Sequence, residues 1–333
     1  MCVAISDKQK QLLQLLADGE FHSGTELARQ LGVSRSAVWK QVAGLADLGL
    51  HHAAVTGKGY RLEKPLELLA AQAIINGLDP AVLPLLAQLE LHDQIDSTNV
   101  YLSQQAQSHA PSGTVCFAEH QTAGKGRRGR QWVSPFGSNL YLSVLWRFQL
   151  GYASTAGLSL AIGVAVIRAL RQQQLHPVGL KWPNDIMSAG KKLGGILIEV
   201  SGESDGPCAV VIGLGINLFV PDSAAQGINQ AWTDASKVNP AISLSRNQLA
   251  ASLLNQLLAV LADFEQVGIK AYLDEWRSYD CLQGQPATLF IADQPYPGIV
   301  QGVDDSGLLL LQHPDGRTQA FASGEVSFSR TPL

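Results

Sequence analysis

The sequence predicts an α+β protein of several domains: an amino-terminal winged helix-turn-helix, a central domain with helices and a mixed, largely antiparallel sheet, and a small carboxy-terminal β-barrel of the SH3-like type. Three observations lead to this prediction. The 333 residues suffice for two or three domains of ~100 to 200 residues each. Helical periodicity dominates the start of the chain, whereas only short strands and turns follow residue 282. We therefore expect domains at residues 1–65, 66–279 and 280–333.

Composition favours a folded protein of the reducing cytoplasm that does not associate with membranes. Hydrophobic residues make up 46% of the chain and charged residues 16%, which excludes a largely disordered protein. The four cysteines are far apart and form no CxxC pair, so neither a disulfide framework nor a thiolate zinc site is expected. The most apolar stretch, residues 158–170, is shorter than the ~20 residues of a membrane span, and residues 1–10 lack the hydrophobic core of a signal peptide.

The amino-terminal segment has the pattern of a DNA-binding module. Ser23 and Glu26 are spaced as a capping box, Gly32 ends the helix that this box begins, and Ser34 begins a second helix. A hairpin follows over residues 51–62. Two helices joined by a glycine turn, with cations on the outer face of the second helix, are typical of a helix that enters the major groove of DNA, and the hairpin would be a wing. The residues predicted to contact DNA are Ser34, Arg35, Ser36, Trp39, Lys40 and Lys58.

Charge supports DNA binding only weakly. Residues 1–65 carry eight lysines and arginines against six acidic residues, whereas the rest of the chain carries 16 against 22. A helical packing module whose outward charges meet only solvent is therefore an alternative. For Trp39, packing against the wing or a neighbouring protein is an alternative to contact with a base.

The most informative segment of the middle region is the basic loop, residues 124–130, with the sequence GKGRRGR. Its four cations repel one another unless an anion lies among them, and its glycines let backbone N–H groups approach that anion. A phosphate or carboxylate ligand is therefore expected, with a solvated basic turn as the alternative. The loop is not a dinucleotide fingerprint, because Pro135 and Gly137 oppose the helix that such a fingerprint requires. We expect the loop to be mobile without ligand.

Three further motifs lie at the ends of predicted elements. Lys192 precedes paired glycines and the strand predicted over residues 196–200, which would leave its amine free to reach a ligand anion; a simple strand-edge lysine is the alternative. The segment GLGIN, residues 213–217, follows the second strand of a predicted hairpin, and its glycines permit close backbone approach. The segment DSTN, residues 96–99, is either part of a polar site or merely a helix N-cap.

Together these motifs resemble those of the bifunctional biotin protein ligases that also repress the biotin operon. The matching segments are residues 96–99, Gln121 with 124–129, Trp132 with 134–135, 139–141, 181–185, 192–193 with 195–197, and 213–217. With the predicted winged helix and small barrel, the resemblance covers nearly the whole chain. It implies an ATP-dependent ligase that forms biotinyl-AMP and transfers biotin to a lysine of the biotin carboxyl carrier protein of acetyl-CoA carboxylase. It also implies that an adenylate-bound homodimer binds operator DNA and represses biotin synthesis.

The resemblance also implies roles for single residues. Biotin and ATP are the substrates, Mg²⁺ arrives with ATP, and no metal ligand is assigned to the protein. Lys192 and Arg127 are the expected catalytic residues. Trp132 and Asn217, with Lys192 and Arg127, are expected to bind the nucleotide. The residues expected to bind biotin are Ser97, Thr98, Asn99, Gln121, Lys125, Gly126, Arg127, Lys192 and Gly195.

At position 125 the relatives carry arginine. Lys125 keeps the charge but lacks the planar bidentate fork, so the intermediate would be retained less tightly.

The implied chemistry needs no nucleophile from the protein, since the carboxylate of biotin attacks ATP. This accounts for a sequence without a Ser-His-Asp set, and catalysis would then depend on positioning and on stabilisation of charge. Asp185 is a candidate base or metal support, or only a turn-stabilising residue. Three alternative functions stay open: a ligase whose amino-terminal domain has no regulatory role, a lipoate-type ligase, and a ligand-sensing transcription factor without turnover.

Overall fold

The computed structural model describes residues 5–202, 206–292 and 294–328. These residues form a helical part with a hairpin, a seven-stranded sheet with helices, and a five-stranded sheet. The predicted α+β class is confirmed. Cys2 lies outside the described residues. So does Ser329, the last residue of one of the short strands that the sequence predicts after residue 282, at 326–329.

The amino-terminal part is a winged three-helix module. The Ser23 and Ser34 side chains cap the second and third helices, as predicted. The capping box predicted at Ser23 is incomplete, because the Glu26 carboxylate binds two side chains of its own helix instead; a complete box lies at Ser6 and Gln9. The elements are α1 (Asp7–Leu16), α2 (Gly24–Leu31), α3 (Arg35–Ala43), β1 (His52–Val55) and β2 (Gly59–Leu62).

The segment after the wing joins the first part of the molecule to the second. The sequence predicts a helical run over residues 66–78, but the helix is confined to α4 (Ala71–Asn76). Leu66 and Leu68 pack against the core of the winged module instead, and the Glu67 carboxylate accepts the backbone N–H of Arg246. Tertiary contacts therefore hold these leucines in an extended segment despite their helix-forming side chains.

The central part contains a seven-stranded sheet with the order β3-β4-β5-β9-β8-β7-β6. β3 and β4 are parallel, and the other pairs are antiparallel, including the predicted hairpin of β8 and β9. Helix α5 packs on one face, whereas α6 and α9 belong to the main core. The elements are β3 (Gln88–His92), α5 (Thr98–Gln107), β4 (Thr114–Ala118), β5 (Leu140–Phe148), α6 (Leu158–Gln172), β6 (Gly179–Lys181), β7 (Asp185–Ser188), β8 (Lys191–Gly202), β9 (Cys208–Ile216), α7 (Asp222–Ala225), α8 (Ala235–Val238), α9 (Arg246–Val267) and α10 (Lys270–Ser278).

One helical stretch among the described residues, Tyr152–Gln172, has the length and apolarity to cross a membrane. However, 61% of its apolar 18-residue segment is buried inside the protein. It contains α6, which packs against α9. Packing in the core accounts for its apolar character.

The carboxy-terminal part is the predicted small β domain, with antiparallel strands in the order β13-β12-β11-β10-β14. It contacts the central part through Trp182, whose indole N–H donates to the carbonyl of Gly307 at 3.1 Å. The elements are β10 (Pro286–Ile291), β11 (Gln294–Val303), β12 (Leu309–Gln312), β13 (Thr318–Phe321) and β14 (Glu325–Phe328).

Candidate functional site

One pocket brings together most of the residues that the motifs predicted. It is lined by the start of α5, the basic loop and the beginning of β14. The first residue of β7, the first half of β8 and the last residues of β9 complete it. Asn217 is not among its lining residues. The predicted residues that line it are Ser97, Thr98, Asn99, Gln121, Lys125, Gly126, Arg127, Trp132, Lys192 and Gly195.

The floor of the pocket contains a row of three residues that lie side by side on neighbouring strands. Ser143 of β5 pairs with Gly213 of β9, which pairs with Leu197 of β8. The Asn99 amide lies against this row, and a Cβ at Gly213 would be 2.8 Å from Asn99 Cγ. Glycine is therefore needed at position 213 for the close approach of a protein side chain, whereas the sequence had suggested the approach of a ligand.

Two residue pairs further along the same strands, an aromatic ring takes the place of the Asn99 amide. Gly215 pairs with Gly195, and a Cβ at Gly215 would lie 2.7 Å from Trp132 Cζ2. The indole therefore rests on two glycine backbones, with its Nε1 buried and without a hydrogen-bond partner among the described residues. The Lys192 ammonium lies 5.7 Å from the ring centroid, within reach of a cation–π interaction.

Buried hydrogen bonds connect the polar residues of the pocket to one another. Thr98 N–H donates to Gln121 Oε1 at 2.9 Å, Gln121 Nε2 donates to the Ser134 hydroxyl at 3.0 Å, and that hydroxyl donates to the carbonyl of Trp132 at 3.0 Å. Ser143 donates to Asn99 Oδ1 at 2.6 Å. Because buried polar groups without partners are costly, each of these side chains constrains the orientation of the next.

Sequence reasoning missed two members of this group, Ser143 and Glu199. Glu199 Oε2 accepts from Asn99 Nδ2 at 2.8 Å. A polar side chain at an alternate position of a buried strand was the available signal for both residues.

The lysine expected to have a free amine is paired. Lys192 Nζ lies 2.6 Å from Asp185 Oδ1, and Lys181 Nζ lies 3.6 Å from Asp185 Oδ2. All three side chains are largely buried, with 15% to 16% exposure. The prediction of a free amine is therefore wrong, because Asp185 begins β7 beside β8 and shares its carboxylate between the two cations.

An acidic side chain from another part of the protein pairs with the basic loop, which the sequence did not indicate. Glu325, at the start of β14, accepts a hydrogen bond from Arg130 and lies 3.7 Å from Arg128. Arg127 points elsewhere and donates to Asn184 Oδ1 at 2.9 Å. Burial, with the neighbouring charge of Arg128, lowers the pKa of Arg127, whereas the Arg130 hydrogen bond lowers the pKa of Glu325. The pocket is thus closed by residues from two parts of the chain.

Two predicted residues lie at the margins of this arrangement. The Asn217 side chain is buried and donates to the carbonyl of Thr233 at 3.1 Å, supporting the segment after β9. Lys125 is exposed at the outer side of the pocket. Their roles in binding nucleotide and biotin stay predictions.

The predicted DNA-contacting residues form a separate surface. Trp39 is 60% exposed, so among the described residues it packs neither into the core nor under the wing. Lys58 lies at the wing turn, 5.8 Å from the ring of Phe21. Contact with DNA stays a prediction for all six residues, each of which is exposed: Ser34, Arg35, Ser36, Trp39, Lys40 and Lys58.

Three family models match the chain in order. An HTH domain matches residues 8–61, the biotin/lipoate A/B protein ligase family matches residues 91–217, and the biotin protein ligase C terminal domain matches residues 284–329. These matches fall on the winged module, the pocket-bearing sheet and the small β domain, respectively.

Similar proteins extend over nearly the full length. The bifunctional ligase/repressor BirA of Salmonella typhimurium is 44% identical, covering 95% of this chain and 96% of that protein, and BirA of Escherichia coli is 43% identical over the same shares. The structure of biotin protein ligase from Aquifex aeolicus in complex with biotin and ATP is similar with a TM-score of 0.62 at 26% identity, covering 74% of this chain and 100% of that one. The chain belongs to the family of bifunctional biotin protein ligases and repressors.

Proposed function

We propose that this chain joins biotin to a lysine of a biotin carboxyl carrier protein in two steps. A carboxylate oxygen of biotin attacks the α-phosphorus of ATP, the bond to pyrophosphate breaks, and biotinyl-AMP forms. The amine of the carrier lysine then attacks the acyl carbon, loses its proton and displaces AMP. Family membership and the pocket that combines polar, aromatic and cationic groups support this function.

The pocket residues suit this chemistry because the substrates supply the reacting groups. Lys192 and Arg127 line the pocket, and we assign to them the stabilisation of the negative charge that develops on the α-phosphate. Asp185 holds the Lys192 amine in place, and Trp132 offers an aromatic surface for the base. ATP arrives with its Mg²⁺. The polar lining beside Asn99 favours a ligand with hydrogen-bonding groups over lipoate, whose ring has none.

The amino-terminal domain extends this function to gene regulation. Its exposed third helix and wing support operator binding, and we place the protein in the cytoplasm as a homodimer when the adenylate is bound. We also keep residues 1–65 as the DNA-binding domain, 66–279 as the ligase domain and 280–333 as the small barrel.

Biotin-dependent exchange of pyrophosphate into ATP tests the enzyme. The variant Lys192→Ala should lower the exchange rate about 10² to 10³-fold, as expected when one charge-stabilising donor is lost. Lys191→Ala is the matched control, since Lys191 is the exposed neighbour on the same strand and should keep nearly full activity. Exchange by the wild type without biotin would contradict the proposed function, and exchange only with lipoate would support the lipoate alternative.

A further inference from the structure

Glu199 is an acidic residue on the ligand-facing side of the sheet. Its backbone pairs with Val211 of β9, two residue pairs beyond Leu197 and Gly213, so its side chain lies on the same face of the sheet as that of Leu197. It also lines a hollow beside the basic loop. Its Oε2 accepts from Asn99 Nδ2 at 2.8 Å, so it contacts the pocket through another side chain.

The carboxylate of Glu199 fixes the orientation of the Asn99 amide. A carboxylate only accepts hydrogen bonds, so Asn99 must turn its NH₂ group towards Glu199 and its carbonyl oxygen towards Ser143. Ser143 donates to that oxygen at 2.6 Å. The backbone of Gly213 lies directly beneath the amide and limits its movement.

The orientation of the Asn99 amide determines to which acceptor the neighbouring Ser143 hydroxyl donates its proton. Ser143 has one hydroxyl proton and two neighbouring acceptors, Asn99 Oδ1 at 2.6 Å and Thr98 Oγ1 at 2.8 Å. With the Asn99 carbonyl facing it, the Ser143 proton goes to the shorter bond. The Ser143 oxygen is then left as an acceptor, and the one Thr98 hydroxyl proton is shared between Ser143 Oγ at 2.8 Å and Gln121 Oε1 at 3.2 Å. Glu199 thus sets the donor and acceptor roles of Asn99 and Ser143, and Thr98 connects this pair to Gln121.

We propose that Glu199 is a positioning residue that fixes the hydrogen-bonding pattern by which the pocket recognises a cyclic urea. The inference rests on the proposed function, since the ring of biotin presents one urea carbonyl and two N–H groups. A pocket built to pair with such groups rejects ligands that lack them, because its own polar groups would be left without partners. Glu199 therefore contributes to the choice of biotin over other ring-bearing acids.

The substitution Glu199→Gln tests this role because a glutamine amide both donates and accepts, so residue 199 no longer requires the Asn99 NH₂ group on its side. Only the longer contact of Asn99 Nδ2 with the Leu197 carbonyl, 3.5 Å, then still favours that orientation. In biotin-dependent pyrophosphate exchange, the KM for biotin should rise about tenfold, as for loss of a hydrogen bond to a charged group. Inhibition by desthiobiotin, which keeps the urea but lacks the sulfur, should weaken by the same factor. The KM for ATP and kcat should change less than about twofold. Asp263→Asn, at an exposed position on α9, is the matched control.

A paired substitution separates positioning from general structural support. Asn99→Asp alone places two carboxylates against each other and should raise the KM for biotin further. Combined with Glu199→Gln, the introduced amide donates to the introduced carboxylate, whose other oxygen still accepts from Ser143. The double variant should therefore bind biotin at least about fivefold better than Asn99→Asp alone.

Three results would overturn the proposal: biotin and desthiobiotin affinities of Glu199→Gln close to those of the control, equal losses of affinity for biotin and ATP together with a lower Tm, or no rescue in the double variant. A wild-type protein without biotin-dependent exchange would instead contradict the proposed function itself.

Discussion

The surface predicted to contact DNA and the pocket are built in opposite ways. On the first, side chains such as Arg35, Trp39 and Lys40 are exposed to solvent. In the second, Thr98 and Gln121 are buried and bonded to each other. Water can satisfy an exposed polar group, whereas a buried one needs a protein partner. Substitutions should therefore act independently on the surface and affect one another in the pocket.

The largest effect is expected at Gly215, where the backbone lies against the Trp132 indole. In Gly215→Val, the new side chain would collide with the Trp132 indole, since even a Cβ would lie 2.7 Å from Cζ2. The free energy of unfolding should fall by about 1 to 3 kcal/mol from overpacking, and biotinyl-AMP should dissociate faster because the indole is displaced. Denaturant unfolding and adenylate dissociation measure the two effects. Gly227→Ala, whose Cβ would lie 3.3 Å from a Val133 methyl group, is the milder control; equal behaviour of the two variants would argue against close packing at Gly215.

On the surface predicted to contact DNA, a single substitution should cost a similar free energy. That cost should fall on operator binding and leave the ligase activity intact. Arg35→Ala should weaken operator binding by about 1 to 3 kcal/mol if Arg35 contacts a base, and it should leave pyrophosphate exchange unchanged. Its effect should add to that of Lys58→Ala within about 0.5 kcal/mol. Fluorescence anisotropy with operator DNA measures both, with Lys270→Ala, an exposed cation of α10, as the control. Unchanged operator affinity would favour the packing-module alternative.

Glu325 lines the pocket but is half-exposed, so its ion pair should contribute as little as one at the surface. The Arg130 hydrogen bond lowers the pKa of Glu325 from its usual range, so the stabilisation is present above the unfolded-state pKa and is lost as the pH falls through the folded-state pKa. Glu325→Gln should lower the free energy of unfolding by less than ~1 kcal/mol at neutral pH, because the carboxylate is 38% exposed. Urea unfolding at neutral and acidic pH measures the difference, which should shrink in acid. A loss well above ~1 kcal/mol at neutral pH would show that the ion pair is effectively buried, and a loss that grows in acid would contradict the lowered pKa of Glu325.

Local patterns in the chain were enough to predict the fold and the family. The capped helices, the wing and the β8–β9 hairpin follow from short-range periodicity and turn residues. The helix expected over residues 66–78 was largely wrong, because Leu66 and Leu68 pack against a core formed by distant residues. Periodicity carries no information about such contacts.

The sequence by itself identified most of the cations, amides and glycines that line the pocket, with Asn217 as the exception. Only the tertiary structure decided what each of them touches. Asp185 pairs with Lys192, Glu325 with Arg130, and Glu199 with Asn99, and the last two pairs join residues far apart in the chain. Motif spacing describes neighbours along the backbone, whereas the partner of a buried or half-buried charge is set by strand register and domain packing.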